Sequence, residues 1–260
     1  MMWIAFQLAG AGLSTGAGVA AAKRSRNVAT AVVGAMLTII LLKLALARLP
    51  IGEPRYLPFN WYPLIERWWH YFPAMVIFGV GITLFRDSIW RRDTLLVGAG
   101  LLILHCSALG WVMSRPSDLQ GTVDKDGICH QTSGYSCTAA SAAMLLHRHG
   151  VKATEREMAE LSVTSNGGLA GGGTTESGLM RGLRLKLHGL KTPRIDCPSY
   201  DALPTPSIVP IRITPTLSHS IVVVKILPTE VKVLDPLYGR GTLRREVFER
   251  DWLKSAVWIE

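Results

Sequence analysis

The stretch Gln131-Thr-Ser-Gly-Tyr-Ser-Cys137-Thr-Ala-Ala-Ser-Ala-Ala-Met144 decides how this chain is read. From Cys137 onward the residues are small or apolar and favour a helix, with Ser136 placed to cap its start and Gly150 to end it. Cys137 then opens the helix, at the end where the peptide dipoles stabilise a thiolate. Gln131 brings a side-chain amide six residues earlier, close enough in sequence to sit beside the thiol.

Beyond this helix the chain keeps a helical character for about forty residues and then changes period. Thr154-Glu-Arg-Glu157 is a capping box that opens a second helix, Glu155 to Leu161. Thr174 or Thr175 caps a third, reaching about Leu185. From Ser207 the pattern becomes strand-like, in runs over Ser207–Ile213, His219–Ile226, Glu230–Asp235 and around Thr242. Pro236-Leu-Tyr-Gly239 is a turn between two strands, Phe248–Trp252 a short helix, and the run from Ala256 a last strand. Helices first and strands after predict an α+β domain with an antiparallel sheet.

Two strands carry polar residues of a kind a thiol can use. His219 lies near the start of one and Asp235 at the end of another. An imidazolium beside Cys137 would favour its thiolate and later protonate a leaving amine. Asp235 would accept the other ring N–H and fix the tautomer. Gln131 and the Cys137 N–H would donate to a developing oxyanion, each such donor being worth about 2.7–4 kcal/mol in a transition state. Taken alone, each residue has an ordinary structural reading: a packed cysteine, a satisfied strand histidine, an Asx cap before a turn. Their conjunction, in order and on suitable elements, predicts nucleophilic acyl transfer by Cys137, His219, Asp235 and Gln131.

Other motifs predict little chemistry. The glycine-rich run Ser165–Gly173 is followed by no Gly-Lys-Ser/Thr and is read as a loop. His147-Arg-His149 has the wrong spacing to share a helix face. No pattern calls for a metal or an organic cofactor. Cys129 and Cys197 are available for a disulfide if the domain faces an oxidising compartment.

The residues quoted above resemble the bacteriocin-processing cysteine peptidases that cut after double-glycine leaders. The matching stretches are Gln131 to Cys137, the Ala-Ala-Met-Leu-Leu that follows, His219-Ser-Ile-Val-Val-Val, Val-Leu-Asp235-Pro-Leu-Tyr-Gly239, and Trp252. The resemblance covers residues 128–260, about half of the chain. It implies a papain-like cysteine peptidase fold with Cys137 as nucleophile, His219 as base, Asp235 as orienting acid and Gln131 as oxyanion donor. Thr138 stands where that family commonly has glycine. Such domains are often joined to exporting ATP-binding transporters, whereas no Walker motif is present here. A separate export machinery would therefore be the partner in any leader processing.

The first 116 residues are of another kind. They hold 11 of the 28 Lys/Arg and 4 of the 19 Asp/Glu, a net +7, and long apolar runs; residues 117–260 are near +2. A basic excess in the loops of an apolar segment fits a lipid membrane and excludes a nucleic-acid surface on the folded domain. Four spans are predicted, at about Met2–Ala22, Val28–Leu46, Tyr71–Phe85 and Thr94–Met113, with three spans or a buried helical bundle as the alternatives. Gly12-Leu-Ser-Thr-Gly16 is a small-residue face for packing the first. No basic residue precedes that run, so it is not read as a signal peptide. The short loops with Lys23, Arg24 and Arg26, and with Arg86, Arg91 and Arg92, belong in the cytoplasm, which puts the second domain outside.

The expected protein thus has a transmembrane helical domain, 1–116, and a papain-like peptidase domain, 117–260. It is a multi-pass protein of the plasma or inner membrane that cleaves a peptide or protein substrate through a Cys thioester, a leader peptide being one candidate. A transglutaminase- or amidase-type acyl transfer at the same site and a non-catalytic binding module are the alternatives.

Overall fold

The computed structural model describes residues 2–46, 54, 71–84, 98, 118–165, 172–215 and 217–260. They fall into two compact units, one holding the helices of residues 2–84 and the other holding residues 118–260.

In the first unit, α1 spans Met2–Arg24, α2 Arg26–Leu46 and α3 Tyr71–Leu84. The Ser25 hydroxyl caps α2, accepting the Val28 N–H at 3.1 Å. α2 is the one helix among the described residues long and apolar enough to cross a membrane by length and composition. Its leucines Leu37, Leu41, Leu42 and Leu44 all lie exposed. The expectation of about four spans is therefore not met among the described residues. α1 has the length, but its run of Gly, Ser and Thr dilutes its apolarity. α3 has 14 residues, which at 1.5 Å each fall well short of a hydrocarbon core of about 30 Å. The fourth predicted span, with Cys106, lies outside the described residues.

The small-residue packing face is also different from the expected one. Gly12 and Gly16 meet nothing among the described residues. Gly18 is the contact instead: a Cβ there would lie 2.1 Å from the Val76 carbonyl oxygen, and one on Gly79 would lie 2.1 Å from that of Thr15. α1 and α3 thus approach backbone to backbone, which only glycine permits.

The second unit is α+β, with its elements in the predicted order. α4 runs Cys137–Arg148, α5 Glu155–Leu161, α6 Glu176–Leu187 and α7 Arg245–Asp251. The strands are β1 Pro193–Asp196, β2 Ser207–Arg212, β3 Ser218–Ile226, β4 Glu230–Asp235, β5 Gly239–Arg244 and β6 Ala256–Ile259. They form one six-stranded antiparallel sheet in the order β1-β6-β2-β3-β4-β5. Thr154 caps α5 through the Glu157 N–H, and Thr175 caps α6 through the Gly178 N–H. α4 ends before Gly150, whose φ of +77° suits glycine. α7 starts three residues before the predicted Phe248 and ends at Asp251.

The sheet is covered on both faces. Ile208, Val222, Leu234 and Val257 pack against α4, α5 and α6. Their strand neighbours Val209, Ile221, Val223 and Val233 face the opposite way, onto Phe248, Trp252 and Tyr200. Two-sided burial explains why Ile221–Val224 is uninterrupted in its apolarity rather than alternating. β1 was not expected from the sequence. Four residues opening with proline carry no strand period, and the strand exists because β6 pairs with it over Pro193–Asp196. The neck of the Ser165–Gly173 loop is closed by two backbone hydrogen bonds of 2.9 Å between these residues; residues 166–171 lie outside the described ones.

Candidate active site

The first residue of α4, the start of β3 and the end of β4 meet at one end of the sheet. β3 and β4 are antiparallel neighbours with Val222 opposite Leu234. That register makes His219 and Asp235 diagonal neighbours on one face. His219 Nε2 and Asp235 Oδ1 are 2.8 Å apart. Nδ1 is the ring nitrogen left for the Cys137 thiol, which lies within side-chain hydrogen-bonding reach of the imidazole. His219 is buried and Cys137 half-buried.

The three groups hold one another's charges. Burial pushes the Cys137 thiol up, but the His219 imidazole, the Ser220 N–H and the Thr138 hydroxyl together bring it below the ordinary thiol range. Burial works against a charged His219, yet hydrogen bonds to Asp235 and Cys137 push its pKa up to about 9. Burial likewise raises Asp235, and its bonds to His219 and the Leu237 N–H outweigh this and leave it below the usual carboxylate value. The arrangement therefore shifts the pair towards thiolate and imidazolium. Cys129, by contrast, is pushed up to about 12 by burial, with the nearby Glu155 carboxylate adding to it. Cys129 is a free, buried thiol and Cys197 is exposed, so the two do not form a disulfide with each other.

Asp235 does two jobs at once. Its Oδ1 also accepts the Leu237 N–H at 2.7 Å and the Tyr238 N–H at 3.4 Å. It is both the partner of His219 and an Asx cap of the turn into β5, so the capping bonds hold the carboxylate beside the imidazole.

The loop before the nucleophile is held from two sides. The Gln131 N–H donates to the Pro236 carbonyl at 3.0 Å, tying the loop to the turn after Asp235. Glu155, fully buried, accepts from the Gly121 N–H, the Thr132 N–H and the Thr132 hydroxyl at 2.8, 2.8 and 2.7 Å. The Gln131 side chain donates through Nε2 to the Ser133 carbonyl at 2.8 Å. Among the described residues it makes no hydrogen bond to Cys137, His219 or Asp235, and its buried Oε1 has no partner. One Nε2–H remains uncommitted.

Ser136 occupies the N-cap position but does not cap. Its hydroxyl donates to the Ser133 carbonyl at 2.9 Å, and the helix start has no side-chain cap. The first amides of α4, with that of Cys137 leading, are thereby not taken up by a serine oxygen.

Sequence reasoning missed the contacts that join α4 to β3. Thr138 Oγ1 and Ser220 Oγ are 2.8 Å apart, and the Ser141 hydroxyl donates to the Ser220 carbonyl at 2.9 Å. The signal was present as two hydroxyl residues at i and i+3 on the nucleophile's own helix, set among the alanines of its first two turns.

The profile of the Peptidase C39 family matches residues 125–260. An uncharacterized protein of Methanothermobacter marburgensis is 26% identical over 148 residues, 55% of this chain and 94% of the relative. An uncharacterized protein of Methanothermobacter thermautotrophicus is 32% identical over 138 residues, 51% of this chain and 87% of the relative. Among solved structures, the peptidase domain of Streptococcus ComA, a bi-functional ABC transporter involved in a quorum-sensing pathway, is similar at a TM-score of 0.44. It has 23% identity over 50% of this chain and 94% of that domain. A double-glycine-motif protease from an AMS/PCAT transporter, in complex with the leader peptide, gives 0.43 and 15% identity over 54% and 94%.

Proposed function

The chain belongs to the Peptidase C39 family through residues 125–260, and from that premise we propose that it is a cysteine peptidase in which Cys137, His219 and Asp235 carry the reaction. The observation that carries this reading is the meeting of the three side chains, with a 2.8 Å His219–Asp235 bond behind a thiol held below its ordinary pKa. The Cys137 thiolate attacks the scissile carbonyl, and the C=O electron pair moves onto oxygen. The Cys137 N–H and the free Gln131 N–H are the proposed donors to that oxyanion. On collapse the C–N bond breaks and His219 gives its proton to the leaving amine, which leaves a thioester on Cys137. Neutral His219 then takes a proton from water as it attacks the thioester, the C–S bond breaks, and the free acid leaves with the Cys137 thiolate and the His219 imidazolium restored.

The substrate proposed is a peptide or protein. The resemblance to double-glycine leader peptidases makes a leader peptide the first to try, with a separate export machinery as partner. The peptidase domain is taken to start near residue 117 and to be tethered to a lipid membrane, α2 being the helix that supports this. Its outward orientation rests on the basic cluster Lys23, Arg24 and Arg26.

Comparison of peptides released by cells carrying the unmodified chain and by cells carrying Cys137→Ala tests the reading. A set of cleaved products that disappears with Cys137→Ala, and reappears with purified unmodified protein, is the expected result. Identical peptide sets from the two would refute it.

A further inference from the structure

The sulfur of Cys137 has a hydroxyl neighbour, itself joined to a second hydroxyl, that the reaction above does not use. Thr138 Oγ1 lies 3.9 Å from Cys137 Sγ and 2.8 Å from Ser220 Oγ. Both hydroxyls are buried. Ser220 is itself locked by its carbonyl, which accepts from the fully buried Ser141 hydroxyl at 2.9 Å. Each of these residues directly follows a reacting one: Thr138 follows Cys137 and Ser220 follows His219. The backbone N–H of Ser220 also reaches the sulfur.

Charge on the sulfur fixes the direction of the chain. A thiolate only accepts, so the Thr138 O–H must point at it. The Thr138 oxygen is then left to accept, and the Ser220 O–H fills it. A hydroxyl that accepts one hydrogen bond is a better donor of the next. Both hydroxyls lie between α4 and β3, where few waters compete and the effect is not diluted.

We propose that Thr138 and Ser220 form a directed hydrogen-bond chain, Ser220 O–H to Thr138 Oγ1 and Thr138 O–H to Cys137 Sγ, that stabilises the attacking thiolate. Thr138 touches the sulfur, and Ser220 is a positioning residue acting through Thr138. The proposal rests on the reading of Cys137 as the nucleophile. The charged groups that act on the same sulfur are His219 from β3 and, behind it, Asp235 from β4. The hydroxyl chain approaches from α4 and adds to them.

The test is the pH dependence of Cys137 alkylation by iodoacetamide in the full chain, without substrate. It is followed by mass spectrometry of the peptide bearing Cys137, because Cys129 and Cys197 are also thiols. Thr138→Val keeps the shape and removes the hydroxyl. It is expected to move the alkylation midpoint upward and to lower the rate below that midpoint about 3- to 10-fold. Thr138→Ser is expected to restore both. Ser220→Ala, which never touches the sulfur with its side chain, is expected to move the midpoint the same way by less. In a Thr138→Val background Ser220→Ala is expected to add nothing, since the chain is already cut. A merely structural role for these hydroxyls would destabilise the fold without this non-additivity.

An unmoved midpoint in folded Thr138→Val overturns the proposal, as do additive effects of the two substitutions. If Thr138→Val does not fold, an unmoved midpoint in folded Ser220→Ala overturns it alone. The two readings fail separately. If Cys137 of the unmodified protein ionises no more readily than an ordinary thiol, the nucleophile reading falls. If it ionises readily and the variants leave it unmoved, only the hydroxyl chain falls.

Discussion

At the scale of single residues, the chemistry rests on charges that are stable only together. The His219 pKa of about 9 lies above the unfolded value near 6.5, so the charged pair stabilises the fold fully below pH 6.5 and this contribution fades as pH rises through 9. The Asp235 shift has the opposite sign: its contribution is present above the ordinary carboxylate value of 3.8 and is lost as pH falls. Peptide cleavage is expected to follow a bell, rising where Cys137 ionises below the normal thiol range and falling near pH 9 as the imidazolium is lost; a kcat/KM profile against pH checks this. Asp235→Asn removes the largest support of the charged His219. It is expected to draw the alkaline limb down towards 6.5 and to lower turnover by roughly 100-fold, read by the same profile. Cys137, His219 and Asp235 were legible in the sequence because each sits at an element boundary that local pattern marks. The Gln131 amide was legible as a residue, whereas its bond to Ser133 depends on a loop conformation that no period encodes. Thr138, where the resemblance leads one to expect glycine, gains its Ser220 partner only because β3 packs against α4.

At the scale of elements, the site is built by three short pieces held in register from outside. Glu155 anchors the loop before α4 by three hydrogen bonds from a fully buried position. Glu155→Gln keeps the volume but sets an NH2 against one or more of the three donors. It is expected to cost about 1–3 kcal/mol in urea unfolding. It should also weaken catalysis through a looser Gln131–Ser136 turn, seen as a lower kcat rather than a thiol that ionises less. On the far face, Phe248 is fully buried and stacks on Trp252 at a centroid distance of 5.4 Å. Phe248→Ala is expected to cost about 3–5 kcal/mol, measured by the same unfolding curve, while folded protein keeps its alkylation profile because the residue packs away from α4. The caps Thr154 and Thr175 were legible because a cap is a local bond. Ser136 was misread as one because its alternative partner, the Ser133 carbonyl, exists only in the folded turn. β1 was illegible for a related reason, since its hydrogen bonds belong to β6.

At the scale of the whole molecule, the two units carry different surfaces. The exposed leucines of α2 are costly in water and suit lipid. The full chain is expected to sediment with membranes and to resist alkaline carbonate extraction, and Leu37→Arg with Leu41→Arg is expected to release it. Extraction of the unmodified chain would sink the tether. By itself the sequence determined the α+β order, the strand-borne His219 and Asp235, the helix-borne Cys137 and the division of charge between the two halves. These are properties of residue type and short-range period, which act within a few positions. Tertiary structure alone decided that His219 and Asp235 meet as diagonal partners and that Asp235 caps a turn while orienting the imidazole. It also decided that α1 and α3 pack through Gly18 and Gly79 rather than Gly12 and Gly16, and that the Thr138 hydroxyl beside the sulfur meets that of Ser220. Those depend on register and on the depth of packing between elements far apart in sequence, where a shift of one residue would exchange one face for the other.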